Sequence, residues 1–244
     1  MSGLDPRLLL QGYASGIFPM ADSRDAAELF WVEPRNRAIM PLDRFHLSRS
    51  LRRVIRSGRF EITCDRAFGQ VIIACADREE TWINADIERA MLALHASGYA
   101  HSIEVWSGKE LVGGLYGVEL GRAFFGESMF SRATDASKVA LAWLVARLKA
   151  GHFTLLDCQF MTDHLASLGA VNVTREDYVA LLSAALGGVA SVDGVGVGSA
   201  AGAVGGDAGE PDFFALDALL ELAGAAGADG PAGYVISQLL GHTS

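Results

Sequence analysis

The chain has 244 residues, half of them hydrophobic, and a formal net charge of −9. That length allows one large domain or two small ones, and no run of about 18 apolar residues marks a membrane span. The opening MSGLDPRLLLQGY lacks the basic and apolar regions of a secretory signal, so a cytoplasmic protein is expected.

Three cysteines, Cys64, Cys75 and Cys158, form no CxxC pair and fit reduced thiols. Charge is unevenly spread. Residues 185–244 hold seven acids and no Lys or Arg, leaving −2 for the first 184 residues. Local rather than global charge therefore decides what a polyanion would meet.

Asp5-Pro6 predicts an N-cap with proline at the first helical position, opening a helix that runs to about Gly16 and buries Leu9 and Tyr13. The following Gly16-Ile17-Phe18-Pro19-Met20 is apolar and stiff; it reads as a packing plug more readily than as a pocket wall. Phe30–Arg35 and Ala38–Met40 read as short extended pieces that Pro34 and Pro41 confine to edges or ends. From Ser48 an amphipathic helix is expected. Arg49, Arg52, Arg53 and Arg56 fall on one face, and Leu47, Leu51, Val54 and Ile55 on the other. A charged stripe is usually a solvated face, but four Arg with no interleaved acid point to phosphate.

Phe60–Cys64 alternates as a strand, after which Asp65 is expected to cap a helix carrying Phe68, Val71, Ile72 and Cys75. Residues 85–97 form another helix ending at Gly98. Trp82, between the two, either roofs the core or offers a stacking platform for a base. A meander follows: His101–Trp106, Leu111–Val118 and Ala123–Phe130. Then come a helix over about 136–150, a strand reaching Asp157, a short helix capped by Thr162, the strand Val171–Val173, and a helix from Thr174. Strands and helices in this order give an α+β fold. Beyond Leu186 lie half of the chain's 28 glycines. We expect a flexible linker over 187–210, short helices at 212–223 and 231–240, and a tail that is an appendage.

Two places suggest chemistry. In Gly113–Ser131, GGLYGVELGRAFFGESMFS, Glu127 is a carboxylate in an apolar run, and the glycines imply close approach to the backbone. Asp157 and Gln159 share a strand face by their spacing, with Cys158 pointing away; they could orient a nucleophile or simply cap the next turn. Other sites are set aside. No GxxxxGK[ST] is present, and Gly194–Gly198 is linker composition. His95, His101, His152 and His164 lack metal-ligand spacing. Gly126–Phe130 lacks the closing glycine of a nucleophile elbow. A lone Cys158 is more often an inert thiol than a nucleophile.

The segments GIFPM, LSRSLRR, TWI, HSIEVW, LVGGLYGVELG, FFGESMFS, ASK, LLDCQ and HLASLGA, in this order over roughly residues 5–182, closely resemble the leucyl/phenylalanyl-tRNA–protein transferases. The resemblance implies transfer of Leu or Phe from Leu-tRNA or Phe-tRNA to the N-terminal amine of proteins beginning with Arg or Lys, marking them for N-end rule degradation. It implies a small N-terminal domain (1–34), a GNAT-like (acyl-CoA N-acyltransferase-like) catalytic domain (35–186) and leaves a Gly/Ala-rich acidic tail (187–244) without a counterpart. Because the aminoacyl ester is already activated, no cofactor, ATP or metal is called for.

Carried over residue by residue, the resemblance makes Asp157 and Gln159 catalytic and Glu127 acceptor-binding. Leu115, Phe124, Met129 and Leu156 would line the amino-acid pocket. Trp82 would stack on the terminal adenine, with Tyr13 at the pocket mouth and Met20 where some relatives have a second Trp. The Arg stripe would contact tRNA phosphates. Whether Asp157 is a general base or only positions the amine stays open, and the glycines of 113–131 are expected to admit the aminoacyl-adenosine end. An acetyl-CoA-type transferase would want a glycine-rich loop where Ser131–Asp135 has none. A non-catalytic RNA-binding module would leave Glu127, Asp157 and Gln159 unexplained.

Overall fold

The computed structural model describes residues 3–187, 209–225 and 232–241. The chain opens with α1 (Pro6–Ala14), capped by the Asp5 carboxylate, which accepts from the Arg7 N–H at 2.8 Å. Strands β1 (Phe18–Met20) and β2 (Phe30–Val32) pair as a small antiparallel ribbon. Then come β3 (Asn36–Ile39), α2 (Arg49–Arg56), β4 (Glu61–Cys64), α3 (Phe68–Ala76), α4 (Ala85–Ala96), β5 (Ala100–Ser107), β6 (Glu110–Leu120) and β7 (Ala123–Ser131). After these follow α5 (Ala136–Ala150), β8 (Leu155–Gln159), α6 (Asp163–Ser167), β9 (Val171–Thr174), α7 (Arg175–Ala185), α8 (Ala215–Ala225) and α9 (Ala232–Leu239). Among the described residues no helix is long and apolar enough to cross a membrane.

The main sheet has the strand order β4-β5-β6-β7-β8-β3-β9. Every pairing is antiparallel except β7 with β8, which α5 connects as a crossover. The parallel pairing runs only from Ala123–Leu155 to Phe125–Asp157. Beyond it β7 stays with β6, whereas β8 turns to β3, so the two strands fork at their carboxyl ends.

Each face of the sheet carries an apolar layer. Phe45, Leu51, Leu115, Phe124, Val145 and Leu156 belong to the layer under α2 and α5. Leu9, Tyr13, Ile72, Met91, Phe125 and Tyr178 belong to the layer under α1, α3, α4 and α7. Alternation along β7 is broken once. Tyr116 pairs with Ser128 and Gly117 with Gly126, so Glu127 is an extra residue, a β-bulge. Before it the odd residues Ala123 and Phe125 face the α3 side; after it Phe130 does, and Met129 joins Phe124 on the other.

Two expectations are corrected. Asp65 does not cap α3, whose N-cap is Ala67. In a left-handed conformation (φ 58°), Asp65 instead accepts from the Ser102 N–H at 2.8 Å and meets His101 Nδ1 at 2.6 Å. As expected, Pro34 and Pro41 fall at the ends of the short strand around Ala38, and β3 itself lies between β8 and β9.

The tail is not an appendage. Phe213, Leu216, Ile236 and Leu240 are buried in the α2/α5 layer. The Phe213 ring stacks on His101 at 4.2 Å and on Phe124 at 5.4 Å. The buried Arg147 guanidinium reaches the Phe213 carbonyl at 2.8 Å and both Asp217 oxygens at 2.6 and 2.8 Å. The sequence hides this because the packing residues are a few apolar side chains spaced through Gly/Ala-rich chain. Helices are indeed present where 212–223 and 231–240 were expected; most of the expected linker, residues 188–208, lies outside the described residues.

Candidate active site

Asp157, the last residue of β8 paired with β7, stands at the fork and is sealed from solvent. Its carboxylate is saturated. Arg37 Nε donates to Oδ1 at 2.9 Å and to Oδ2 at 3.1 Å, and Nη2 donates to Oδ2 at 2.5 Å. The Tyr178 hydroxyl donates to Oδ2 at 2.8 Å, and the Gln159 backbone N–H to Oδ1 at 2.8 Å. Arg37, only 1% exposed, lies between the Phe18 and Tyr178 rings, 4.6 Å from each centroid, and donates to the Gly16 carbonyl at 3.1 Å. Burial opposes its charge, but the Asp157 carboxylate outweighs burial and raises its pKa. Phe18, in the segment read as a plug, therefore packs as one and also covers the ion pair.

Gln159 adopts a left-handed backbone (φ 61°), costly for a residue with a side chain. The Asp157–Gln159 N–H bond, a side chain capping its own backbone two residues on, holds that turn. The Gln159 amide is thereby aimed across the fork, where Nε2 donates to Glu127 Oε1 at 2.7 Å.

Glu127 is buried at the bulge. Burial is the main cause that raises its carboxyl to about 8, and the Asp157 charge pushes the same way. Tyr13, Arg37 and Gln159 oppose the rise. Among the described residues its Oε2 has no partner at good hydrogen-bond geometry, nor do the buried hydroxyls of Tyr13 and Tyr116, although Tyr13 lies close enough to Glu127 for each to shift the other's pKa. Buried polar atoms are usually paired, so this cluster has valences free for a ligand.

The structure thus brings together Asp157, Gln159, Glu127 and Tyr13. It places Leu115, Phe124 and Leu156 on the opposite face of the sheet, closely packed, with half-buried Met129 beside them and directly across from Leu115. Met20 and Trp82 are half-buried in the α1/α3/α4 layer, tied together where the Ala21 N–H donates to the Trp82 carbonyl at 3.1 Å. Arg49, Arg52, Arg53 and Arg56 line a separate groove on α2. Cys158 carries no thiolate: burial pushes its thiol well above the ordinary range.

The glycines of 113–131 do not leave open space. A Cβ at Gly113 would lie 2.5 Å from Ala136 Cβ, at Gly114 2.8 Å from the Ile103 carbonyl, and at Gly117 2.4 Å from the Phe124 ring. They let α5, β5 and Phe124 approach the strand, which corrects the expectation that they admit a ligand.

Sequence reasoning missed Arg37, Tyr116 and Tyr178. The signal for Arg37 was present: Asn36-Arg37-Ala38-Ile39 is a strand with one cation and no acid, so an inward Arg there needs a distant carboxylate.

A family model described as leucyl/phenylalanyl-tRNA protein transferase matches residues 39–183, and one for the N-terminal domain of the same family matches residues 3–35. A leucyl/phenylalanyl-tRNA–protein transferase of Rhizorhabdus wittichii is 59% identical over 257 aligned positions, covering 100% of both chains. One of Novosphingobium aromaticivorans is 54% identical over 99% of this chain and 97% of its own, so the tail does have counterparts. One of Zymomonas mobilis is 63% identical over 75% of this chain and 70% of its own. Among solved structures, L-PGS from Bacillus licheniformis superposes with a TM-score of 0.38 at 14% identity over 68% of this chain and 56% of its own, too distant to bear on the site.

Proposed function

We propose a specific reaction from one premise: the chain belongs to the leucyl/phenylalanyl-tRNA–protein transferase family and is an aminoacyltransferase acting on proteins. It takes Leu or Phe from Leu-tRNA or Phe-tRNA and joins it to the N-terminal amine of proteins beginning with Arg or Lys. The product then enters degradation by the N-end rule. The observation that carries this reading is the fork. There the Gln159 amide bridges to Glu127, while among the described residues Glu127 Oε2 and the nearby Tyr13 hydroxyl have no partner at good hydrogen-bond geometry. Those atoms suit an amine, which offers donors to a carboxylate and a lone pair to an acyl carbon.

In the reaction the acceptor α-amine attacks the ester carbonyl. A C–N bond forms, the ester C–O bond breaks, and the proton lost by nitrogen ends on the ribose oxygen. An α-amine has a pKa of about 8. The Glu127 carboxyl, also raised to about 8, is matched to share that proton. Glu127 thus binds the acceptor as one partner of an ammonium–carboxyl pair rather than as a standing negative charge. Asp157 has its lone pairs filled by Arg37, Tyr178 and the Gln159 N–H, which supports positioning over general-base action. It fixes the Gln159 turn, and Gln159 orients the amine, so proximity supplies much of the acceleration.

The donor side chain enters at the fork beside Met129, against Leu115, Phe124 and Leu156, with Trp82 and Met20 flanking the terminal adenosine. The α2 guanidiniums hold tRNA phosphates. The parallel, forking β7–β8 pair supports the GNAT-like assignment of residues 35–186, with 1–34 as the small N-terminal domain. Incubation with Phe-tRNA and an Arg-initiated protein tests the reading: Phe appears at the new N-terminus. Intact tRNA binding without transfer sinks it in favour of an RNA-binding module.

A further inference from the structure

The α2 stripe lines a cleft of about 670 Å3 formed by Leu47, Arg49, Arg52, Arg53, Arg56 and Ser57, and its remaining wall is Tyr234 of α9. Among the described residues none of the four guanidiniums is paired with a carboxylate. The tail that supplies the wall is acidic, yet α9, AGYVISQL, carries no acid.

Helix α9 is fitted to α2 at short range. Gly233 lies so close that a Cβ there would come within 2.1 Å of the Ile55 carbonyl oxygen, and Ile236 is fully buried. Ser237, 2% exposed, accepts from Arg56 Nε at 2.8 Å, while its own hydroxyl donates to the Tyr234 carbonyl at 2.9 Å. The Arg56 guanidinium lies over the half-exposed Tyr234 ring, 4.9 Å from its centroid. Neither terminal nitrogen of Arg56 has a hydrogen-bond partner among the described residues.

We propose that α9 is part of the tRNA-binding groove: Ser237 and Tyr234 hold Arg56 by its Nε edge and its face, and present its terminal nitrogens to a phosphate of the donor tRNA. The inference rests on the tRNA reading of the stripe given above. The chemistry favours a nucleic-acid backbone. A guanidinium held on one edge keeps its other edge for bidentate phosphate binding, and the neighbouring Arg49, Arg52 and Arg53 supply the further charge that a polyanion neutralises. A helix that served only to cover apolar surface would have no use for a buried serine on the guanidinium.

The test uses the full chain and an uncharged phenylalanine tRNA transcript, titrated at several salt concentrations. Tyr234→Ala removes no charge, yet it is expected to weaken binding about two- to fivefold, the range of an exposed cation–π contact. It is also expected to flatten the salt dependence as Arg56→Ala does, with the thermal midpoint unchanged. In an Arg56→Ala background, Tyr234→Ala adds nothing. Wild-type affinity and salt slope for Tyr234→Ala, or the same fold loss with Arg56 already absent, overturn the proposal and leave α9 a clasp. If Tyr234→Ala lowers the thermal midpoint, Ser237→Ala decides: weaker binding upholds the proposal, wild-type binding overturns it. Arg49→Glu with Arg53→Glu serves as the control. If that pair binds tRNA normally, the tRNA reading of the groove falls by itself, whatever the α9 variants do.

Discussion

The Arg37 guanidinium and the Asp157 carboxylate form an ion pair with both side chains sealed from solvent, 1% and 0% exposed, at 2.5 Å between Nη2 and Oδ2. A pair so placed adds little stability against an apolar alternative, but removing one partner strands a buried charge. Arg37→Met is therefore expected to lower the unfolding free energy by about 3–5 kcal/mol. Replacing both residues by apolar ones of similar volume recovers much of that loss. Urea unfolding of the two variants checks the order; a double variant as unstable as the single would show that the pair is worth more than its desolvation.

Asp157→Asn retains an acceptor for the Gln159 N–H but loses the charge that Arg37 and Tyr178 surround. Turnover is expected to fall by at least about 100-fold, with tRNA affinity within about twofold, because a misplaced nucleophile by itself costs about that much. Single-turnover transfer and tRNA binding, measured on the same preparation, separate the two. A collapse of affinity would place Asp157 in donor binding.

Glu127 makes stability depend on pH in a definite direction. Its carboxyl rises from 4.5 to about 8 in the folded protein, chiefly through burial. Between those values the folded state keeps a proton that the unfolded state releases. Relative to Glu127→Gln, the wild type is expected to lose stability as pH rises from about 4.5, at up to about 1.4 kcal/mol per unit, and to level off above about 8. Thermal or urea unfolding of both proteins across pH 4–9 gives the difference curve. A flat difference would mean that folding leaves the Glu127 pKa at its ordinary value.

Phe213 is the tail residue most enclosed by aromatic partners: His101, Phe124, Phe153 and Phe214 all contact its ring. Phe213→Ala is expected to cost about 3–5 kcal/mol. Calorimetry would show a lowered midpoint for the whole chain in one transition, not loss of a peripheral melting event. An unchanged midpoint would restore the appendage reading.

Most helices and strands were legible because their signals are local. Asp5-Pro6 opens α1, the alternation of 101–106 marks β5, Thr162 caps α6, and α7 starts from Thr174, all as expected. The Asp157/Gln159 spacing and the oddity of Glu127 pointed to the fork. What was not legible depends on contacts across the chain. The partner of Arg37 lies 120 residues away. Asp65, local in its expected role as a cap, is instead drawn to His101 on the next strand. The tail's few apolar residues acquire meaning only against Phe124 and α5, which sequence composition does not display.

The bulge at Glu127 has a consequence for how this enzyme can vary. One inserted residue carries the acid, while Gly126 and Ser128 on either side of it pair with Gly117 and Tyr116. Losing that residue would close β7 into unbroken alternation with Met129 still opposite Leu115. The acid can therefore be deleted without turning a neighbouring side chain to the other face of the sheet.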